Sequence, residues 1–177
     1  MQAPLEGNRV VLEPLEEVHF NAYLATFSST VRQALGGIAY DDERAYLERI
    51  RDDPTHFFWC IVQKQTGTLM GALSIRPSHF RSQLYAWLNE LFWGYGYYQE
   101  ALTLASRAYF EAVVRAEHYS ALVDASNKSS YYALKKNGFQ ERGLIRGPRE
   151  LQYDMRCLRV VVLSAEEDQS FKGIEIL

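Results

Sequence analysis

Cysteine is scarce in this chain: Cys60 and Cys157 stand far apart and in no metal-like spacing. No disulfide framework is implied, and a reducing, cytoplasmic setting fits. The four histidines, His19, His56, His79 and His118, are scattered and form no i,i+4 pair among themselves, so no metal site is expected. No apolar run approaches the roughly 18 residues of a membrane span. The opening MQAPLEGNRV has neither a basic n-region nor an apolar h-region, so neither membrane insertion nor export is expected. Positive charge is in deficit, 19 Lys and Arg against 22 Asp and Glu, which gives no electrostatic case for a nucleic-acid partner. The local cluster Lys135, Lys136, Arg142, Arg146 and Arg149 leaves room for a basic patch but reads first as a solvated face. Repeats, linkers and low-complexity segments are missing too. The 177 residues are therefore expected to form one domain, with a core over about 8–163 and a tail over 164–177.

Aromatic residues are plentiful, at 14% with 12 Tyr and 9 Phe, which suggests a core or cleft lined with rings. Phe92, Trp93, Tyr95, Tyr97 and Tyr98 fall in the stretch around which the chain is organised, Leu88–Leu102, LNELFWGYGYYQEAL, and Tyr85 and Trp87 come just before it. Gln83–Leu88 reads as a strand, with Leu84, Ala86 and Leu88 on one side and Tyr85 and Trp87 on the other. From Tyr98 the apolar spacing becomes helical through Ala101/Leu102, Ala105, Tyr109 and Ala112/Val113. Gly94 and Gly96 lie between and permit positive φ. Strand, glycine turn and helix N-terminus together present free N–H groups and the positive end of a dipole, a seat for an anion such as phosphate. Gly-x-Gly turns in this position are also often only turns.

Along the rest of the chain, Asn8–Leu15 reads as a first strand closed by Pro14, and Leu15–Phe27 as a helix. Ser28–Thr30 reads as a break, and 31–40 as a glycine-bearing loop with room for one short helical turn. Asp41 and Asp42 make an N-cap for a helix carrying Tyr46, Leu47 and Ile50 that ends at Pro54. Phe57–Val62 is a continuous apolar run, expected to be a strand buried on both faces, and hairpins to Leu69–Ile75. The long helix runs to about Val114. Tyr119–Val123 reads as a strand, and the next helix stops at Asn137–Gly138. Phe139–Ile145 and Leu151–Leu163 are expected to be the last strands, joined through Gly147–Pro148. The order β-α-α-β-β-β-α-β-α-β-β predicts an α+β fold, seven strands in a mostly antiparallel sheet with four helices.

A second constellation lies in NKSSYYALKKNGF, which is Asn127-x-x-Ser130 followed by Lys136-x-Gly138-Phe139. An N-cap and a C′ glycine explain it without function. The pair WGYGYYQEAL and N-x-x-S…K-x-G-F, some thirty residues apart, resembles the GNAT superfamily of acyl-CoA-dependent N-acyltransferases. Within it the chain is similar to the RimJ/RimL-type ribosomal-protein alanine acetyltransferases, also through NRVVLEPLEEVHFNAYL and GFQERGLIRG. The resemblance covers about residues 8–160 and implies a centrally splayed sheet with acetyl-CoA as the donor. Pantetheine would pair with the backbone around Leu88, and the coenzyme A diphosphate would lie on the amides of Trp93, Gly94, Tyr95, Gly96, Tyr97 and Tyr98. Asn127 would bond the cofactor or an ordered water. Trp93 stands where the family has Gln or Arg, Tyr98 where it has Gly or Ala, and Gln99 where this branch has Thr or Ser. A Tyr98 amide can still donate with its ring turned onto the buried face of the helix. Leu134 replaces the Tyr that in many members protonates the leaving thiolate.

Acyl transfer to an amine needs a deprotonated amine, a stabilised oxyanion and a proton for the thiolate. The resemblance implies the N–H near Leu88 as oxyanion donor. Ser130, then Tyr132, are candidates to protonate a thiolate whose acid has a pKa of about 8.5. Glu150 and Glu90 are candidate bases, with a water relay as the alternative, because an α-amine of pKa about 8 needs little help. The acceptor is expected to be a protein N-terminal or small-molecule amine. It would be recognised by Phe20–Tyr46 and the last hairpin; Asp41, Asp42 and Glu43 could draw a cation or simply begin a helix. A homodimer stays open. A non-catalytic coenzyme A sensor or interaction module is the alternative reading. A nucleotide-binding protein is the third, opposed by the lack of a Walker Lys.

Overall fold

The computed structural model describes residues 3–34, 43–78, 82–146, 151–159 and 162. Eight strands and five α-helices follow in the order β1 (Leu5–Glu6), β2 (Val10–Pro14), α1 (Phe20–Ala25), α2 (Ser29–Ala34), α3 (Glu43–Arg51), β3 (Phe57–Gln63), β4 (Thr68–Arg76), β5 (Gln83–Leu88), α4 (Tyr97–Ala112), β6 (His118–Asp124), α5 (Lys128–Lys136), β7 (Gln140–Arg146) and β8 (Leu151–Leu158). They build one sheet ordered β1-β2-β3-β4-β5-β6-β8-β7. Among the described residues only β5 and β6 run parallel; every other neighbouring pair is antiparallel. This is the expected α+β sheet, with one strand and one helix more than the sequence pattern predicts.

The apolar run FFWCIV is buried on both faces, as its continuity requires. Trp59 and Ile61 turn to the side covered by α4, where they join Val10, Leu12, Leu73, Leu102, Tyr109 and Phe110. Phe58, Cys60 and Val62 turn to the other side and meet Phe20, Tyr23, Leu47 and Ile50 of α1 and α3. Burial on α4 recurs at Ala101, Leu102, Ala105, Ser106, Tyr109 and Phe110, the spacing of one helix face.

The extra helix, α2, begins at the serine cluster that reads as a break. Ser28 Oγ accepts the N–H of Val31 three residues on, so the hydroxyl caps a helix instead of ending one. The stop of α5 follows its sequence signs. Gly138 takes φ +79, the Phe139 N–H reaches the Leu134 carbonyl and the Gly138 N–H reaches that of Lys135. This is a Schellman turn, and its two apolar ends, Leu134 and Phe139, are both buried in the first core. Leu134 is thus a structural residue. Asp41, Asp42, the Gly36–Gly37 and Gly147–Pro148 turns, Glu150 and the tail from Ser164 lie outside the described residues.

Candidate active site

The parallel pair β5–β6 meets at one ladder position, Gln83↔Ser120, reinforced by the Ser120 N–H on the Ser82 carbonyl (2.9 Å). Beyond that point the strands diverge toward their C-terminal ends. At the far end of β5 the Asn89 N–H donates to the Met70 carbonyl on β4 (2.8 Å). Because backbone groups alternate sides along a strand, the N–H and C=O of Leu88 then face away from β4, into the divergence. The Leu88 carbonyl is met there by the Trp93 indole Nε1–H (2.8 Å). Gly71 of β4 packs so closely behind β5 that a Cβ would lie 2.1 Å from the Trp87 carbonyl oxygen and 2.8 Å from Leu88 Cα. The Asn89 side chain accepts the Leu91 N–H and donates to the Thr26 carbonyl, fixing the turn that leaves the strand.

That turn carries Gly94 and Gly96, at φ +81 and +79, a region that favours glycine. Gly96 is the N-cap of α4 and brings no side-chain acceptor to it. The amides of the first helical turn, Tyr97, Tyr98 and Gln99, therefore have no cap, and they sit at the positive end of a 16-residue helix. Arg9, just before β2, supports the turn, its Nη1 donating to the Tyr95 carbonyl (2.7 Å) and its Nε to Glu100 Oε2 (3.0 Å). The backbone N–H groups of Arg9 and Val10 converge on Glu100 Oε1. Partial burial works to raise the Glu100 carboxyl, but these donors outweigh it and hold it below the usual carboxylate range.

The three tyrosines after Trp93 diverge. Tyr95 is exposed. Tyr97 is half-buried, lies under the Arg9 guanidinium and accepts from Gln63 Nε2 at its hydroxyl (2.9 Å). Tyr98 packs its ring against the first core, and burial pushes its pKa up. The ring is thus turned inward, leaving backbone at the surface of the helix N-terminus.

Across the divergence, β6 leads into α5. The Asn127 side chain caps that helix, Oδ1 accepting the Ser130 N–H (3.1 Å). Ser130 is half-buried, whereas Tyr132 is 60% exposed. Glu90 sits in the turn after β5, where the Ser28 hydroxyl donates to its carboxylate and, ahead of other contacts, holds its pKa down. A carboxylate so held is a weaker base, and its bond ties the turn to the cap of α2. The structure thus joins Leu88 to Trp93 and Asn127 to Ser130, on the two arms of the divergence. The rest of the machinery, Arg9, Glu100, Asn89 and Gly71, carries no local sequence sign; Arg9 and Glu100 are 91 positions apart.

A diverging parallel pair with an inward-facing backbone N–H, beside an uncapped helix opened by two left-handed glycines, is an arrangement for an extended ligand with an anionic end. The family model described as acetyltransferase (GNAT) domain matches residues 9–140. The chain belongs to the GNAT acetyltransferase family. Acetyl-CoA is the donor of that family. A T. thermophilus protein provisionally named an acetyltransferase is 27% identical, with 97% of this chain and 98% of that one covered at a TM-score of 0.75. A GNAT acetyltransferase from Bacillus anthracis shares the fold at 17% identity (88% and 98% covered, TM-score 0.75). So does RimL, a ribosomal L7/L12 α-N-protein acetyltransferase solved with coenzyme A, at 12% identity (88% and 98%, TM-score 0.73). No curated protein matches the chain by sequence. Among the described residues no group of His, Cys, Asp and Glu could hold a metal, and no helix is long and apolar enough to cross a membrane.

Proposed function

We propose that this acetyltransferase moves an acetyl group directly from acetyl-CoA to a primary amine, a protein N-terminus or a small-molecule amine, as RimJ/RimL-like enzymes do. The observation that carries the reading is the end of β5, where the Leu88 backbone faces the divergence next to the uncapped N-terminus of α4. The diphosphate of acetyl-CoA lies on the amides of Gly96, Tyr97 and Tyr98, joined by Gln99, where oriented N–H groups and the helix dipole favour negative charge; of the donors expected before them, the Trp93 N–H is taken by the Glu90 carbonyl (3.2 Å). Pantetheine follows β5, bringing the thioester to Leu88. The Leu88 N–H stabilises the oxyanion formed when the amine attacks.

The departing thiolate takes its proton from Ser130, directly or through water, since the position of the usual phenol is Leu134 in the core. Tyr132 is the second candidate. Glu90 is a poor proton acceptor, because its Ser28 bond lowers its basicity. A water relay, with Glu150 as the remaining side-chain candidate, removes the ammonium proton. Such a site suits an α-amine of pKa about 8 better than a Lys amine near 10.4. The two buried thiols, with Cys157 pushed up to about 11 by burial, are inert and agree with a cytoplasmic enzyme.

Thiol release from acetyl-CoA, measured across peptides with free N-termini, polyamines and aminoglycosides, tests the reading. Amine-dependent release is expected, fastest with α-amines. Thermal stabilisation by coenzyme A, worth about 2.7 kcal/mol at one hundred times Kd, without release for any amine would favour a coenzyme A sensor.

A further inference from the structure

We propose that Arg9 is a positioning residue for the diphosphate, acting by locking the orientation of the Tyr95–Gly96 peptide. The proposal rests on the coenzyme A seat described above. Arg9 Nη1 donates to the Tyr95 carbonyl, so that carbonyl points at β2. In a trans peptide the N–H lies opposite the C=O, and the chain has no cis peptide among its described residues. The Gly96 N–H is therefore turned away from Arg9, to the open side of the turn. Rotating this peptide by half a turn would reverse that N–H and carry Gly96 out of its φ of +79. A glycine is free to make that rotation, so the turn needs an outside hold. The Arg9 bond is that hold.

Arg9 is itself fixed. Its Nε pairs with Glu100, its guanidinium lies 5.2 Å from the Tyr97 ring centroid, and Glu100 is clasped by the backbone N–H groups of Arg9 and Val10 where β2 begins. Gly7 admits this clasp, since a Cβ there would sit 2.5 Å from Glu100 Oε1. A Cβ on Gly96 would lie 3.2 Å from Arg9 Nη2, so the guanidinium rests directly on the turn. The charge of Arg9 is already answered by Glu100, which makes its contribution one of geometry.

Arg9→Ala, Arg9→Lys and the wild type are compared for coenzyme A affinity, and for kcat/KM with acetyl-CoA against S-acetylpantetheine, which lacks the diphosphate. Arg9→Ala is expected to weaken coenzyme A about tenfold, the effect of one misdirected donor to a charged group, and to leave S-acetylpantetheine within about twofold. Arg9→Lys keeps the charge but cannot hold both Tyr95 and Glu100, and is expected to recover little of the loss. Equal losses for both donors would mean a general structural role and overturn the proposal, as would full affinity in either variant. Should Arg9→Ala not fold, Arg9→Lys alone decides by the same ratio. A wild type that uses both donors equally would overturn the diphosphate seat itself, and the proposal with it.

Discussion

Replacing Gly71 by Ala should damage the active site more than its distance from any reacting atom suggests. The added carbon would lie 2.1 Å from the Trp87 carbonyl oxygen and 2.8 Å from Leu88 Cα, both backbone atoms in the strand that carries the proposed oxyanion donor. A carbon–oxygen contact needs roughly 3.2 Å, so β4 and β5 must part locally by about 1 Å. Overpacking of this kind costs about 1–3 kcal/mol. In a chain of this size that lowers Tm by about 2–12 °C. The larger effect falls on geometry, because an ångström of misplacement at a reacting group costs about a hundredfold. Thermal melts and acetyl-CoA-dependent turnover on Gly71→Ala and Gly71→Ser should show a modest stability loss and at least a tenfold fall in kcat. Wild-type turnover in a folded Gly71→Ala would refute the claim that β5 is held from behind at this glycine.

Trp93→Phe removes the donor to the Leu88 carbonyl while keeping an aromatic ring, and should cost about 1 kcal/mol in stability and raise the KM for acetyl-CoA several-fold, read by melts and steady-state kinetics. Tyr98→Ala should not tighten coenzyme A binding, because the ring packs inward; calorimetric titration should show equal or weaker affinity, and melts a loss of about 2 kcal/mol. Burial holds His56 below its ordinary value, so the unfolded chain takes up a proton that the folded one resists. Its contribution is full above the unfolded pKa of about 6.5 and declines as pH falls through the lower folded value. Urea melts between pH 7.5 and 5 should show that slope, and His56→Gln should flatten it.

Periodicity revealed what is local or doubly determined. The run FFWCIV, of strand length and continuous, read as a strand with both faces covered, and the glycine turn followed by a helical stripe read as the passage from β5 into α4. Asn127 and Gly138 carried their capping chemistry openly. The serine cluster misled because a hydroxyl that competes with the backbone inside a helix also caps one, and Ser28 caps α2. The two-residue β1 exists only through its pairing with β2 and is too short to leave a pattern. The Arg9–Glu100 clasp and the close approach of Gly71 to β5 depend on contacts between distant segments, which no periodicity records. Tyr98 was ambiguous until the packing of its ring was known, since either a blocking or an inward side chain suits that position.

Amide-resolved NMR titration with coenzyme A tests the proposed cofactor seat most directly. The N–H resonances of Gly96, Tyr97, Tyr98 and Gln99 should move first and furthest, with Leu88 following as pantetheine settles along β5. Saturation that leaves these five amides in place while others shift would contradict the diphosphate seat and the mechanism built on it.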